Sequence, residues 1–319
     1  MALHKQAAVS RSTAWAAGTK KNLLSQFKAF ISFCMYFSLT SLPVNIYILS
    51  AYVACLTNTF KSPTSVHNYI SGVRTLHAML GFEFPDLDAH MFRMQMRGIQ
   101  KQMQHMPRQA RVITPEMFLQ IKSKLNLNKS FQAAIWAVIN LSFFTFARMS
   151  NMLPKSRAGY DYKSHLSRQD VVVASDGILV KFKWSKTLQD SSRIITIPLV
   201  AIPSNPMCPW TAYSNLLSLV PASDKDSAFT YIHNGRKQTL VAQQVVTMLR
   251  IILKKLGYDH TEFSGHSFCR SGATWAFSSG VKPLSIKAHG DWKSLAFLQY
   301  IHVSDSQKQM VSSQMLEAI

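Results

Sequence analysis

Residues 265–270 read GHSFCR and open a stretch whose apolar spacing predicts a helix from His266 to Ser278. Residues 290–294 read GDWKS, and Tyr300 follows them in a second, shorter helical pattern. Taken alone, a histidine at a helix start is commonly a cap, and a tyrosine in an apolar segment is commonly buried. The order of these residues along the chain therefore matters more than any one of them.

Two basic residues lie upstream, each at the end of a predicted element. Arg148 stands near the end of an apolar stretch that predicts one long helix from Phe131 to about Met152, and a charge there needs a partner. Lys186 stands where the second of three predicted strands turns into the third. Its flexible ammonium could reach into a groove from that position, although a surface turn lysine is the ordinary alternative.

The middle of the chain changes from helical to strand periodicity. Residues 171–174, 178–184 and 194–197 predict three short strands, and the turn signal at 175–177 joins the first two into a hairpin. Helical patterns cover residues 15–39, 44–57, 62–80, 89–104, 115–125, 131–152, 209–219, 240–256, 266–278, 285–289 and 295–300. The predicted fold class is mostly α with a small antiparallel β-sheet.

A basic, proline-interrupted segment separates two parts of the chain. Residues 105–111 read HMPRQAR, and a helix start signal follows at 114–115, where proline comes directly after a threonine cap. The sequence therefore predicts an all-helical N-terminal domain at 1–107, a linker at 108–112 and a larger, mixed α+β domain at 113–319.

The charge of the chain is strongly positive. Lys and Arg number 35 against 15 acidic residues, which gives a net charge of +20 and an isoelectric point near 10. Double-stranded DNA is the first expected partner, because cations that neutralise its phosphates release counterions. A basic but inert surface and a membrane surface are weaker alternatives, and RNA is disfavoured because aromatic-rich strands for base stacking are absent from the sequence.

Several other classes of protein are disfavoured. Residues 1–21 lack the apolar core of a signal peptide, which predicts an intracellular protein. The most apolar stretch, 131–147, is interrupted by polar residues and fits a buried helix better than a membrane span. The four cysteines show no metal-ligand spacing, so we expect reduced thiols and neither a metal nor another cofactor.

Together and in this order, the motifs resemble those of the tyrosine recombinases, the phage-integrase-like family. The residues of these motifs are most similar to those of the branch found in eukaryotic mobile elements of the DIRS-like, Ngaro-like and Crypton-like kinds. The resemblance covers almost the whole chain, and the matching segments are 18–20, 68–74, 147–151, 184–187, 208–209, 265–268, 272–275 and 290–294. One short motif would be weak, whereas several in the right order are specific.

The resemblance implies a helical, SAM-like core-binding domain followed by a mixed α+β catalytic domain, which together form a C-shaped clamp on duplex DNA. It also implies DNA recombination or integration, self-association on paired sites as a dimer or tetramer, and a nuclear or otherwise intracellular location. Neither ATP nor a metal is implied, because a covalent phosphotyrosyl bond retains the energy of the phosphodiester.

The same resemblance implies a role for each motif residue. Tyr300 would attack a scissile phosphate and form a 3′-phosphotyrosyl bond. Arg148 would bind the non-bridging oxygens, and Trp292 would pack beside the phosphate and donate its indole N–H. Lys186 would protonate the leaving 5′-oxygen, while His266 would assist proton transfer or bind the pentacovalent centre.

The chain departs from the family pattern three residues after His266. The family carries a second phosphate-binding arginine there, whereas this chain carries Cys269. Arg270 does not replace that arginine, because one helical position rotates a side chain by about 100°. Loss of such a donor costs on the order of 10²- to 10³-fold in rate. Two hypotheses follow, an impaired recombinase and a catalytically inactive or host-adopted DNA-binding protein; Cys269 as a nucleophile is a minor third.

Two milder departures concern neighbours of the motif residues. Asp291 stands nine residues before Tyr300, where many relatives carry histidine or tryptophan. Asn151, three residues after Arg148, replaces an acidic residue that several bacterial relatives have. We expect it to orient the arginine less strongly than a carboxylate would.

Most of the residues expected to contact DNA lie in the N-terminal domain. Arg93, Arg97 and Lys101 recur every four residues on one predicted helix and form a basic ridge, for which a solvated face is the alternative. The candidate DNA-binding residues are Lys20, Lys21, Arg74, Arg93, Arg97, Lys101 and Arg270.

Overall fold

The computed structural model describes residues 13–104, 110–183 and 193–303, together with residues 6, 9–10, 309–310, 313 and 316–317. The chain divides into two compact units, Met1–Arg108 and Gln109–Ile319. The predicted linker at 108–112 lies partly outside the described residues. In the described part of the chain, no helix is long and apolar enough to cross a membrane.

The first unit is helical in its described part. Its helices are α1 (Ala17–Tyr36), α2 (Ile46–Thr59), α3 (Pro63–Leu80) and α4 (His90–Met103), and they match four of the predicted helices. Local signals set their ends. The Asn45 side chain caps α2 by accepting from the Ile48 N–H at 2.9 Å, and Gly81 ends α3 in the left-handed conformation, with φ of 77°.

An apolar core with one buried imidazole holds these helices together. Phe30 of α1 and Tyr52 of α2 are buried and meet edge to face, with ring centroids 5.1 Å apart. His77 of α3 is fully buried: its Nε2 accepts from the Val44 N–H at 2.8 Å, and its Nδ1 donates to the Val73 carbonyl at 2.9 Å. The imidazole thus satisfies a backbone N–H just before α2 that would otherwise be buried without a partner.

The second unit combines helices with two small antiparallel sheets. Its helices are α5 (Pro115–Ser123), α6 (Ser130–Thr145), α7 (Met149–Met152), α8 (Pro209–Leu219), α9 (Ala242–Lys255), α10 (His266–Ser278) and α11 (Pro283–His289). Short 3₁₀ segments lie at Arg157–Gly159, Arg168–Asp170, His260–Glu262 and Leu295–Tyr300. This mixture of many helices with little strand confirms the predicted fold class.

The first sheet contains three strands in chain order, β1 (Val171–Val173), β2 (Gly177–Phe182) and β3 (Ile195–Val200). Both pairings are antiparallel, and Val180 lies opposite Val171 on one side and Ile197 on the other. These strands agree with the three predicted from alternation. Residues 184–192, which carry the predicted hairpin position Lys186, lie outside the described part of the chain.

Helix α6 lies at the centre of the second core and is buried on every side from Ala133 to Phe143, as its largely apolar sequence predicts. It packs against α8 and α10. The approach of α10 is very close, because a Cβ built on Gly272 would lie 1.8 Å from the Phe143 carbonyl oxygen. Glycine is therefore required at this crossing.

The prediction of one helix from 131 to 152 is wrong at its C-terminal end. Helix α6 ends at Thr145, Phe146 takes a left-handed conformation with φ of 54°, and the separate helix α7 begins at Met149. A side-chain bond stabilises the break, since Ser142 Oγ donates to the Ala147 carbonyl at 2.8 Å. Periodicity could not indicate it, because the apolar pattern continues across the break.

A second hairpin consists of β4 (Thr230–His233) and β5 (Arg236–Thr239), and no predicted strand covers it. Its turn is Asn234-Gly235, where both residues have positive φ, 49° and 71°. This pair favours a two-residue hairpin turn and was a usable signal. The charged residues of β5 obscure the alternation on which strand prediction depends.

Replacement of His77 by phenylalanine tests the bridging imidazole. The ring volume is largely kept but the Val44 N–H loses its acceptor, so we expect the first unit to lose about 1–3 kcal/mol of stability. Hydrogen exchange of the α2 and α3 amides in the full chain measures this, because it reports the opening of one unit separately. His90→Phe, at an exposed histidine of α4, should change that exchange by less than about 0.5 kcal/mol. Equal effects of the two changes would contradict the assigned role.

Candidate functional site

Arg148 and Tyr300 meet in the second unit although 152 residues separate them. The Arg148 guanidinium donates two hydrogen bonds to the Tyr300 hydroxyl, from Nε at 3.0 Å and from Nη2 at 2.5 Å. Its Cζ atom lies 5.8 Å from the centroid of the tyrosine ring. A phenol oxygen and a planar cation therefore share one location, and both side chains are partly buried.

The break at the end of α6 puts Arg148 there. Residues three and four apart share one face of a helix, so a continuous helix would direct residue 148 to the side of Thr145, which is only 1% exposed. Instead Arg148 is the N-cap residue of α7, with an extended backbone (φ −68°, ψ 145°). The left-handed Phe146 thus turns the arginine out of the core.

Helix α10 fixes the backbone of Tyr300. Thr274 of α10 donates from Oγ1 to the Tyr300 carbonyl at 2.9 Å, and the same oxygen accepts from the His302 N–H at 3.1 Å. One threonine therefore holds the two backbone groups that directly follow the tyrosine side chain, the Tyr300 carbonyl and the His302 N–H. These two hydrogen bonds fix the backbone at the end of the short 3₁₀ segment Leu295–Tyr300, and so they fix the position of the tyrosine.

Trp292 lies beside the pair and packs between aromatic rings. Its ring stacks on Phe146, with centroids 5.9 Å apart and an interplanar angle of 19°, and lies 5.4 Å from the Tyr300 ring. Phe297, which is buried, lies 6.0 Å from it. Phe146 thus has two roles in the site. Its left-handed backbone turns Arg148 out of the core, and its ring packs against the tryptophan.

His266 begins α10 and lines one cavity with Arg148 and Tyr300. Desolvation, first, and the nearby Arg148 charge, second, lower the pKa of His266 below its ordinary value. The imidazole is therefore neutral at pH 7, and part of the residue is open to solvent. A neutral imidazole can accept a proton at this position.

Cys269 is fully buried one turn after His266, and its Sγ contacts the His266 carbonyl oxygen at 3.3 Å. Burial raises the pKa of the Cys269 thiol to about 11, against an opposing effect of Arg148. The side chain is therefore a neutral thiol, which neither holds an anion by charge nor acts as a nucleophile near pH 7. The minor hypothesis of a cysteine nucleophile loses its physical support.

Two cavities meet at Arg148, Asn151 and Tyr300, which line both of them. One, of about 340 Å³, also includes Trp292 and the charged residues Asp291 and Lys293. The other, of about 850 Å³, also includes Lys155 and His266. Lys293 belongs to the motif at 290–294. Motif order did not indicate Lys155, because an isolated lysine carries no sequence signal of its location in the fold.

Arg270 lies elsewhere in the second unit. Its Nη1 donates to the Ala110 carbonyl at 3.2 Å, and burial lowers the pKa of its guanidinium. The next residue, Ser271, accepts from the Ile113 N–H at 2.6 Å through its Oγ. Together these contacts attach α10 to the first residues of the unit, and this location gives the predicted DNA contact by Arg270 no support.

In the first unit, a groove of about 290 Å³ between α3 and α4 brings together Arg74, Arg93 and Arg97. Arg74 also lies over the Phe84 ring, 5.4 Å from its centroid. His67 lines the same groove one heptad before Arg74, so the spacing along α3 could have indicated it. Arg93 and Arg97, two of the three residues of the predicted ridge, thus form one side of a two-helix groove, whereas Lys101 does not line it.

Three more of the predicted DNA-contacting residues are exposed on helices of the first unit. Lys20 and Lys21 lie on α1, and Lys101 lies on α4, one turn beyond Arg97. Lys186 lies outside the described residues, so its predicted position beside Tyr300 stays a prediction.

No protein-family model matches the chain, and no curated protein sequence matches it. Solved structures match its fold. XerH site-specific recombinase bound to difH substrate, in a pre-cleavage complex, is similar with a TM-score of 0.57 and 13% identity, covering 91% of this chain and 77% of that one. Tn1549 transposon integrase in complex with transposon right end DNA is similar with a TM-score of 0.59 and 13% identity, covering 98% of each chain.

A lambda integrase dimer bound to a COC′ core site is also similar, with a TM-score of 0.56 and 14% identity over 94% of this chain and 76% of that one. The structural neighbours are thus recombinases and integrases of the tyrosine class, and the chain has their fold. At such low identity, the roles of individual residues depend on the geometry of this chain's own site.

The burial of Cys269 predicts its reactivity. With a pKa of about 11, roughly one thiol in 10³ is ionised at pH 8, and the buried sulfur is closed to reagents. Iodoacetamide added to the native chain at pH 8 should therefore modify the half-buried Cys55 before Cys269, as followed by peptide mass spectrometry. Unfolding in urea should make the two equally reactive. Modification of Cys269 first would contradict the buried, neutral state.

Proposed function

We propose that the chain binds double-stranded DNA and carries a site for breaking and rejoining DNA strands through Tyr300. One observation carries the proposal: Arg148 donates two hydrogen bonds to the Tyr300 hydroxyl, at 3.0 and 2.5 Å, in a partly open cavity. A guanidinium is the side chain best suited to phosphate, and it lies against the one atom that could form a phosphotyrosyl bond.

The proposed reaction exchanges one phosphoester for another. The Tyr300 oxygen attacks phosphorus, the bond from phosphorus to the 5′-oxygen breaks, and DNA stays attached through a 3′-phosphotyrosyl bond. The phenol proton passes to the neutral His266, and Lys186 supplies a proton to the leaving 5′-oxygen. Attack by a 5′-hydroxyl on the phosphotyrosyl bond reverses these steps and rejoins the strand, so no energy source is consumed.

In this scheme, Arg148 changes partners during the reaction. Its donors contact the tyrosine hydroxyl before DNA binds, and a phosphate entering the cavity offers two charged oxygens to the same fork. The arginine then stabilises the charge that grows on those oxygens as phosphorus becomes five-coordinate. Trp292, stacked on Phe146, forms an aromatic wall that limits where the phosphate can lie.

A second candidate function, DNA binding without turnover, has its own supporting observation. The position of the family's second arginine holds a fully buried thiol whose pKa is raised to about 11. That side chain cannot provide charge to the transition state, so the proposed cleavage is impaired at this position. A host-adopted or decayed recombinase would retain its DNA-binding surfaces, while selection for arginine at position 269 would be weaker.

The finer assignment that we propose is the eukaryotic mobile-element branch of the family. The motifs at 147–151, 265–268 and 290–294 support it. An enzyme that acts on the DNA of such elements would work in the nucleus. Self-association is also expected, because one chain offers one Tyr300 while exchange of two duplexes requires cutting more than one strand.

The groove between α3 and α4 is the proposed phosphate-contacting surface of the first unit. Replacement of Arg74, Arg93 and Arg97 by alanine should weaken duplex binding, because each phosphate contact contributes released counterions. We expect the slope of log affinity against log salt to fall by about one for each arginine that contacts a phosphate. Fluorescence anisotropy with a labelled duplex at several salt concentrations measures both.

The matched control removes three positive charges from α9 in the second unit. Arg250, Lys254 and Lys255 are all exposed there, and their replacement by alanine lowers the net charge by the same amount. We expect a much smaller change in affinity and slope. If the two triple variants behave alike, the groove is not a specific binding surface and only the total charge matters.

The change Cys269→Arg tests the assignment of impaired cleavage. We expect the native chain to form little covalent adduct with a nicked duplex, and the variant to form on the order of 10²-fold more, because it regains a charge stabiliser. Denaturing gels of protein and labelled DNA measure the adduct. Cys269→Ser, which adds no charge, should leave the yield low, and Tyr300→Phe in the Cys269→Arg chain should abolish it. Efficient adduct formation by the native chain would contradict the assignment.

A further inference from the structure

The turn that carries Trp292 also directs a carboxylate toward β3. Asp291 has a positive φ of 52°, and the Trp292 ring folds back over Gly290, where an added Cβ would lie 2.0 Å from a ring atom. Aspartate is among the few residues that adopt this conformation readily. The turn therefore places an aromatic ring and a carboxylate on the same cavity, that of about 340 Å³.

The Asp291 carboxylate binds Arg193. The Nη2 atom of Arg193 and Oδ2 of Asp291 are 2.6 Å apart, and their side chains are 44% and 20% exposed. This contact uses one of the five N–H donors of the guanidinium. Asp291 thereby brings a second arginine to the cavity that Arg148 and Tyr300 line.

Strand β3, which begins two residues after Arg193, lies along the same cavity. Ile195 and Ile197 both line this cavity, and side chains two residues apart lie on one face of a strand. Arg193 stands two residues before Ile195, where β3 begins, so the chain enters the strand beside this cavity. The ion pair with Asp291 places the guanidinium at the edge of the cavity.

The charged residues that line the cavity determine what Arg193 can do there. Arg148 and Lys293 line it as cations, while Asp291 lines it as an anion that would repel a phosphate if it were left unpaired. Arg193 can act in two ways. It can simply neutralise Asp291, or it can bind Asp291 with one edge and a phosphate oxygen with another, as a planar fork allows.

We propose that Arg193, held in place by Asp291, binds the same phosphate group as Arg148. The two guanidiniums then contact different oxygens of one phosphodiester, although position 269 provides none. This inference rests on the proposed function, since it requires a phosphate in the cavity beside Tyr300. Arg193 is thus a substrate-binding residue, and Asp291 is a positioning residue that acts through it.

The experiment measures phosphate binding, which requires no turnover and no knowledge of a target sequence. Inorganic phosphate is titrated into the full chain with ¹⁵N-labelled tryptophan, and the indole N–H signal of Trp292, identified by its loss in Trp292→Phe, reports occupancy of the cavity. Arg193→Ala should weaken binding about tenfold or more, because a charge-assisted hydrogen bond is lost and Asp291 is left unpaired.

The double variant Arg193→Ala with Asp291→Asn separates the two roles of Arg193. If Arg193 binds phosphate, the double variant stays at least about fivefold weaker than the native chain, although the repelling carboxylate is gone. Arg193→Lys should give intermediate binding, because it keeps the charge and loses the fork. If the double variant returns to the native affinity, Arg193 only neutralises Asp291 and the proposal is overturned.

Two further variants locate any failure. Arg111 and Glu262 form another exposed ion pair in the same unit, at 2.7 Å, and Arg111→Ala should leave the Trp292 titration within about twofold of native. Arg148→Ala should weaken binding strongly. If Arg148→Ala has no effect, or the native chain gives no Trp292 response, the cavity is not a phosphate site and the proposed function fails with this inference. If only the Arg193 variants have no effect, this inference alone fails.

Discussion

The left-handed conformation of Phe146 is the constraint on which the rest of the site depends. Helix α6 is buried on all sides, so it cannot carry a charged side chain on its surface. A bulky residue with positive φ costs about 1–2 kcal/mol. Contacts on the far side offset that cost, because the Phe146 ring packs on Trp292 and His289 Nε2 donates to the neighbouring Phe144 carbonyl at 2.7 Å. Core burial and site geometry thus depend on one backbone angle.

The sequence predicted more of the fold than of the site. Periodicity was sufficient for the helices of the first unit and for β1 to β3, since each buries one regular face. Motif order brought Arg148, His266, Trp292 and Tyr300 into one hypothesis. The break at Phe146 could not be predicted, because no glycine or proline marks it and tertiary contacts stabilise it. The ion pair of Arg193 with Asp291 likewise joins segments far apart in the chain, which local patterns do not report.

The environment of Cys269 shows why a cysteine is stable at a position where the tyrosine recombinases that the motifs resemble carry arginine. The thiol is fully buried, and Arg148 lies close enough to influence its pKa. A second guanidinium there would face a like charge whenever no phosphate was bound, and part of it would be desolvated. A small neutral side chain removes both penalties. The folded chain without DNA therefore benefits from the same substitution that weakens the proposed chemistry, a common relation between stability and function.

Thr274 holds the backbone just after the Tyr300 side chain, and Arg148 contacts the hydroxyl of the same tyrosine in the same chain. The contact between Arg148 and Tyr300 is therefore made within one chain. In an assembly of several copies, the activity of each copy would depend on its own Arg148 and Tyr300. Mixing chains that lack Arg148 with chains that lack Tyr300 would not restore a single whole site, whereas a site shared between neighbours would be restored in some of them. For the proposed chemistry, we therefore expect alleles that lack one or the other of these two residues not to complement each other.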